Sequence, residues 1–182
     1  MKIIILDTET TALTMGSIAE AHKQPRIVEI GAIVITRHGE AEVSQLINPG
    51  CHISEDATKI TGIKDEDVVH KPTLDVYLPA MAVWYSGADL VVGHNVGFDL
   101  DVLRYELRRL GFEKAPWREP KDVICTAAEY QHVFGFKPRM IDMYPRIMGE
   151  ELKQTHRALD DCKALYNCLK KDRFFQKIGV HI

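Results

Sequence analysis

Cysteine is scarce in this 182-residue chain: Cys51, Cys125, Cys162 and Cys168 are the only four, and no two form a CxxC pair. That spacing argues against a zinc cage and that density against a disulfide framework, so buried free thiols in a reducing compartment are expected. The apolar run after Met1-Lys2, Ile3-Ile4-Ile5-Leu6, is only four residues long. It is too short for a secretory h-region or a membrane span, and a soluble, cytoplasmic protein without membrane contact is expected. Charge of one sign is also lacking, since 23 Lys+Arg against 26 Asp+Glu leave −3. A general electrostatic grip on nucleic acid is thereby excluded, and any such contact must be local or bridged by cations. There is no repeat, low-complexity tract or long linker. With 46% hydrophobic and 27% charged residues the composition is that of a globule. The length suits a single domain over residues 1–182 with a substantial core.

The pattern of residues predicts an α/β fold. Ile3 to Leu6 reads as a buried strand with Asp7 at its carboxyl end, and the β-branched stretch from Arg26 to Thr36 as a second. His38-Gly39 makes a turn into a return strand over Glu42 to Ile47, so the first strands are antiparallel. Ser54 caps a short helix to Thr61, stopped by Gly62, and a helix over Thr73 to Tyr85 must accommodate Pro79. Further helices are expected over Phe98 to Leu110, Ala127 to Phe134, around Pro145, and from Arg157 to Lys171, with short strands at Leu90-Val91-Val92 and Val123-Ile124-Cys125. Antiparallel strands followed by alternating helices and strands give a mixed sheet, with ligands expected at the carboxyl ends of its strands.

Certain acids point the wrong way for solvated residues. Asp7 and Glu9 are two apart, so an extended backbone sends both to one face. At 100° per residue Asp99 falls inside the arc of Val102, Leu103, Leu107 and Leu110, whereas Asp101 falls outside it with Arg104 and Arg108. Glu106 also lies in the apolar arc, without an assignable role. On the last helix Asp161 borders the stripe of Ala158, Cys162, Leu165 and Leu169, and Asp160 lies opposite. His156 precedes the first turn and is free to swing, as suits a proton carrier. Gathered together, four carboxylates raise one another's pKa and cost stability, which hard divalent cations relieve.

Three motifs occur in order: Asp7-Thr8-Glu9-Thr10-Thr11, His94-Asn95-Val96-Gly97-Phe98-Asp99, and His156-Arg157-Ala158-Leu159-Asp160-Asp161. With Arg26 to Ala32, Asn48-Pro49-Gly50 and Ile60 to Ile63, they make the chain resemble the DEDDh branch of the DnaQ-like 3′–5′ exonuclease superfamily from Lys2 to about Leu169. The resemblance implies an RNase H-like fold with helices on both sides of the sheet. It implies that Asp7, Glu9, Asp99 and Asp161 hold two Mg²⁺ ions, replaceable by Mn²⁺, and that His156 is the general base. It places Thr8, Thr10, Leu13 and Asn95 near the substrate, with Leu13 a wedge against the terminal base and Asn95 a cap on the following helix. His94 is expected to support structure, and Phe98 to pack.

The implied reaction is two-metal hydrolysis of 3′ ends, releasing 5′-mononucleotides, with single-stranded DNA as the expected substrate. An exoribonuclease or oligoribonuclease is the alternative, and a catalytically silent module that holds nucleic-acid ends is a third reading. Departures from the pattern include Ala12 in place of a glycine, a long Thr14–Pro25 loop beside the acids, and Cys125-Thr126 where Asp-Thr is frequent. Arg104, Arg108, Arg109, Lys114 and Arg118 are candidates for guiding a strand. The chain ends soon after the last helix, which is expected to weaken the proofreading-subunit reading, although a replication or repair partner stays open, as does oligomeric state.

Overall fold

In the computed structural model, which describes residues 1–12 and 23–180, the backbone of the first strand does not stop at its first acid. Strand β1 (Lys2–Thr10) runs through Asp7 and Glu9 because β2 (Ile27–Thr36) pairs with it antiparallel along the whole length, from Lys2 opposite Thr36 to Glu9 opposite Glu29. Ladder hydrogen bonds satisfy the backbone there whatever the side chain, so the strand outlasts its apolar run. The strand β3 (Gly39–Leu46) returns antiparallel on β2, as the turn residues predict.

Helices α1 (Glu55–Thr61), α2 (Asp65–Val68) and α3 (Leu74–Tyr85) follow. Ser54 caps α1 by accepting from Ala57 N, and Gly62 ends it in the left-handed region. The third of these helices continues past Pro79. Then come β4 (Leu90–Gly93), α4 (Gly97–Arg109) and β5 (Asp122–Cys125). Both β4 and β5 are parallel additions, giving a five-stranded sheet of order β3-β2-β1-β4-β5. The chain continues through α5 (Thr126–Glu129), α6 (Gln131–Phe134), α7 (Met140–Met148), α8 (Ala158–Lys171) and α9 (Phe174–Lys177).

The period-2 alternation of β1 divides the core. Ile4 and Leu6 join the cluster beneath α3 and α4 on one face of the sheet, and Ile3 and Ile5 join the one beneath α7, α8 and α9 on the other. Helices therefore cover both faces, the mixed α/β arrangement expected.

Three local expectations are corrected. Leu110 is 37% exposed, because α4 ends at Arg109 and Leu110 leaves the helical arc. The helix expected from Ala127 to Phe134 is two short ones that break at Tyr130, whose buried ring stacks near Phe174 and whose hydroxyl donates to Asp172 at 2.5 Å. Of the cysteines, all free, Cys162 and Cys168 are buried but Cys51 is exposed.

Candidate active site

The site grows out of two cross-strand pairs. Asp7 and Glu9, on the face of β1 that α8 covers, stand opposite Gly31 and Glu29 of β2. At Gly31 the missing side chain matters. A Cβ there would lie 2.2 Å from the carbonyl carbon of Ala158 and 2.3 Å from Leu159 N, so glycine alone lets the first turn of α8 press its backbone against the sheet. Glu29 is 1% exposed yet fully engaged. Its Oε2 accepts from Arg157 Nε at 3.0 Å and Ala158 N at 3.1 Å, and its Oε1 accepts from Arg157 Nη2 at 2.7 Å. The start of α8 is thereby bolted to the strand beside Glu9.

That docking carries Asp161 to β1. Carboxylate oxygens of Asp7, Glu9 and Asp161 all lie within 4.8 Å of one another. Asp160, as the helical angles predict, faces outward, where it accepts from Thr155 Oγ1 at 2.9 Å. Asp99 is buried, as expected of an acid inside the apolar arc, but stands outside the three-residue group. Its Oδ1 accepts from Thr8 N at 2.8 Å and Thr8 Oγ1 at 2.6 Å, which fixes it against β1 close enough for its charge to act on Asp7.

The electrostatics are those of anions forced together. Burial, then the charges of Asp99, Glu9, Asp161 and Glu29, raise the Asp7 pKa well above the ordinary carboxylate range. Glu9 is pushed up to about 8 by burial and by the charges of Asp161, Glu29 and Asp99. Asp99 is raised to about 7 by burial, against which the Thr8 hydrogen bonds work. Burial also raises Asp161, less its hydrogen bond from Gln154 and the charge of His156. Among the described residues no lysine or arginine forms an ion pair with Asp7, Glu9 or Asp161, since Arg157 is committed to Glu29. Hard oxygen donors, convergent and without a lysine or arginine ion-pair partner among the described residues, fit a divalent cation.

His156 lies on the irregular stretch before α8, partly exposed, with a positive φ of 50°. It shares a cleft of about 620 Å³ with Asp7, Asn95, Gln154 and Asp161. Asn95, also at positive φ (66°), lines this cleft but does not cap α4 with its side chain. The N-cap is Val96, and Asn95 contributes only its carbonyl, to Phe98 N at 2.9 Å. His94 is the structural residue expected. Its ring nitrogens contact Thr126 Oγ1 at 3.0 Å and the Pro138 carbonyl at 2.8 Å, and burial lowers its pKa. Phe98 packs against the core as a half-buried side chain.

Thr8 and Thr10 are each 8% exposed, with hydroxyls turned to Asp99 and to the Ala12 carbonyl. Leu13, and residues 14–22 of the loop expected to influence which ends enter, lie outside the described residues. Of the basic candidates, Arg109 is withdrawn: its side chain is 8% exposed and paired with Glu106 at 3.1 Å. Glu106, unassigned from sequence, also accepts from Ile27 N at 3.1 Å and so ties α4 to the start of β2.

Residues that sequence reasoning passed over are Glu29, Gly31 and Arg157 as supports and Gln154 as a partner of Asp161 (3.5 Å). An acid in the otherwise apolar run Ile27 to Ile35 was the available signal for Glu29.

A family described as Exonuclease (RNase T) matches residues 4–169. The chain is 30% identical over 160 residues to a DNA polymerase III subunit epsilon of Buchnera aphidicola subsp. Schizaphis graminum, covering 87% of this chain and 66% of that protein. Longer curated relatives match as well, and the chain spans only 10–25% of their length. Among solved structures, Exonuclease X in complex with 5′ overhanging duplex DNA superposes with a TM-score of 0.65 at 26% identity, covering 98% of this chain and 94% of that one. The nuclease domain of a DEDDh family member bound to rAMP shares the fold, with a TM-score of 0.72 at 18% identity over 94% of this chain and 92% of that one. No helix among the described residues is long and apolar enough to cross a membrane. By its family match, its mixed sheet and its three ordered motifs, the chain belongs to the Exonuclease family, on the DEDDh branch of the DnaQ-like 3′–5′ exonucleases.

Proposed function

We propose that this protein hydrolyses nucleic acid from the 3′ end, single-stranded DNA foremost, and releases 5′-mononucleotides. The observation that carries the reading is the convergence of Asp7, Glu9 and Asp161 oxygens within 4.8 Å, with Asp7 and Asp161 lining a cleft that His156 also lines. Asp7, Glu9 and Asp161, with Asp99 beside them, would hold two Mg²⁺ ions, and Mn²⁺ would substitute. Such ions, when bound, supply positive charge that draws in the phosphodiester, acidifies water and stabilises the departing oxygen.

The chain's own residues do the rest. His156, ahead of the helix and reaching into the cleft, takes the proton of the attacking water on an imidazole nitrogen. Thr8 holds Asp99 in orientation through its amide and hydroxyl. Asn95, which lines the cleft, would touch the terminal nucleotide. Local positive charge at the bound ions explains how a chain of net charge −3 engages a polyanion without a broad basic face.

Likeness to a DNA polymerase III epsilon subunit and to Exonuclease X with DNA favours DNA over RNA. The same likeness favours a replication or repair protein as partner, action in the cytoplasm, and residues 1–182 acting as one exonuclease unit. The test is end-labelled DNA and RNA oligomers of matched sequence incubated with Mg²⁺, with and without chelator. Faster loss of RNA overturns the DNA preference. Absence of mononucleotide release with both Mg²⁺ and Mn²⁺ overturns catalysis altogether.

A further inference from the structure

We infer that Glu29 is a positioning residue for the reaction, acting through Arg157 to hold His156 and Asp161 against the acids of β1; the inference rests on the exonuclease reading above. Glu29 is a buried carboxylate at 1% exposure that does not line the cleft and stands beside the three-carboxylate group rather than in it, its charge acting on Asp7 and Glu9. A charge in that position is costly unless it is paired and hydrogen-bonded. Three donors meet it, all from two consecutive residues 128 and 129 positions along the chain: Arg157 Nε and Nη2, and Ala158 N. The guanidinium engages both carboxylate oxygens, which fixes orientation as well as distance. The third bond satisfies one of the free amides at the start of α8.

The residues on either side of this clamp are the ones the reaction needs. His156 immediately precedes Arg157 and sits at φ 50°, a left-handed conformation that a non-glycine residue keeps only where its surroundings impose it. Asp161 lies one turn into α8, its amide bonded to the Arg157 carbonyl at 3.0 Å. Gly31, two residues from Glu29 on the same face of β2, leaves the space into which the Ala158 backbone fits. A single acid therefore sets the register of the base-bearing turn and of one cation ligand together. Glu29 also lies opposite Glu9 in the ladder, so loss of Arg157 would leave two carboxylates facing each other without an intervening counter-charge.

The variants Glu29→Gln, Glu29→Ala and Arg157→Ala separate positioning from mere stability. Glu29→Gln keeps a carbonyl acceptor for Ala158 N but loses the charged fork, and is the variant to rely on if Glu29→Ala does not fold. The readouts are kcat and KM on a labelled single-stranded DNA oligomer, Mn²⁺ affinity by calorimetry, and the melting temperature. Supports of metal ligands commonly carry ~10–100-fold in affinity or activity. Glu29→Gln and Arg157→Ala should each lose kcat and Mn²⁺ affinity on that scale, with KM within about twofold, and Glu29→Ala should lose more than Glu29→Gln. Variants that melt lower but keep kcat and Mn²⁺ affinity within about twofold of the wild type overturn the inference. Should the wild type release no nucleotide at all, the nuclease reading fails separately. The Mn²⁺ titration then decides alone, and unchanged affinity in Glu29→Gln overturns the positioning role.

Discussion

The crowding of acids predicts an unusual pH dependence in the metal-free protein. Glu9 ionises at 4.5 in an ordinary setting but holds its proton to about 8 in the fold, driven by burial and by the charges of Asp161, Glu29 and Asp99. Between those values the folded state binds the proton and the unfolded chain does not, so stability falls as pH rises. At ~1.4 kcal/mol per pH unit, this one carboxyl removes roughly 3 kcal/mol between pH 5 and 8. For a chain of this size that corresponds to a fall of roughly 10 °C in melting temperature.

The assay is thermal unfolding in chelator at pH 5, 6.5 and 8, comparing the wild type with Glu9→Gln. The acids whose pKa values are lowered by their partners, Asp65, Asp89 and Asp142, lose their contribution only at pH values below this window. His94, lowered by burial, acts in the opposite direction but equally in both proteins, so it cancels in the comparison. The wild type should lose stability steeply toward pH 8, Glu9→Gln should give a flatter profile, and Mg²⁺ or Mn²⁺ should restore the wild type at pH 8. A chelated wild type as stable at pH 8 as at pH 5, or parallel profiles for the two proteins, would refute the picture of repelling acids.

Other perturbations follow from the same geometry. Asp7→Asn should abolish mononucleotide release and yet raise the melting temperature in chelator at pH 8, because it removes one charge from a mutually repelling group; a clear fall in that temperature counts against it. His156→Ala should slow single-turnover cleavage by ~10²–10⁴ while calorimetry finds cation binding nearly intact. Loss of binding would make His156 a ligand instead. Gly31→Ala should cost about 1–3 kcal/mol by driving a methyl group into the Ala158 backbone, seen as a drop of several degrees in melting temperature with weakened Mn²⁺ affinity. Unchanged melting would show that the helix tolerates the displacement.

Alternation and helical angle are properties of local backbone geometry, and they carry far in this chain. That Asp7 and Glu9 share a face, that Asp99 and Asp161 turn inward while Asp101 and Asp160 do not, and that His156 precedes its helix were all legible from residue order. So were the antiparallel opening strands, the Ser54 cap and the Gly62 stop. What residue order could not supply is which element lies against which, because register and helix docking depend on the summed packing of distant segments rather than on any local period. Only tertiary structure pairs Glu9 with Glu29 and Asp7 with Gly31 and sets Asp99 on Thr8 rather than within the three-carboxylate group. It alone gives Glu106 its partners Arg109 and Ile27. And it alone makes a buried acid on β2 the anchor of a helix 129 positions away, since a carboxylate removed from water must find its donors wherever the fold brings them.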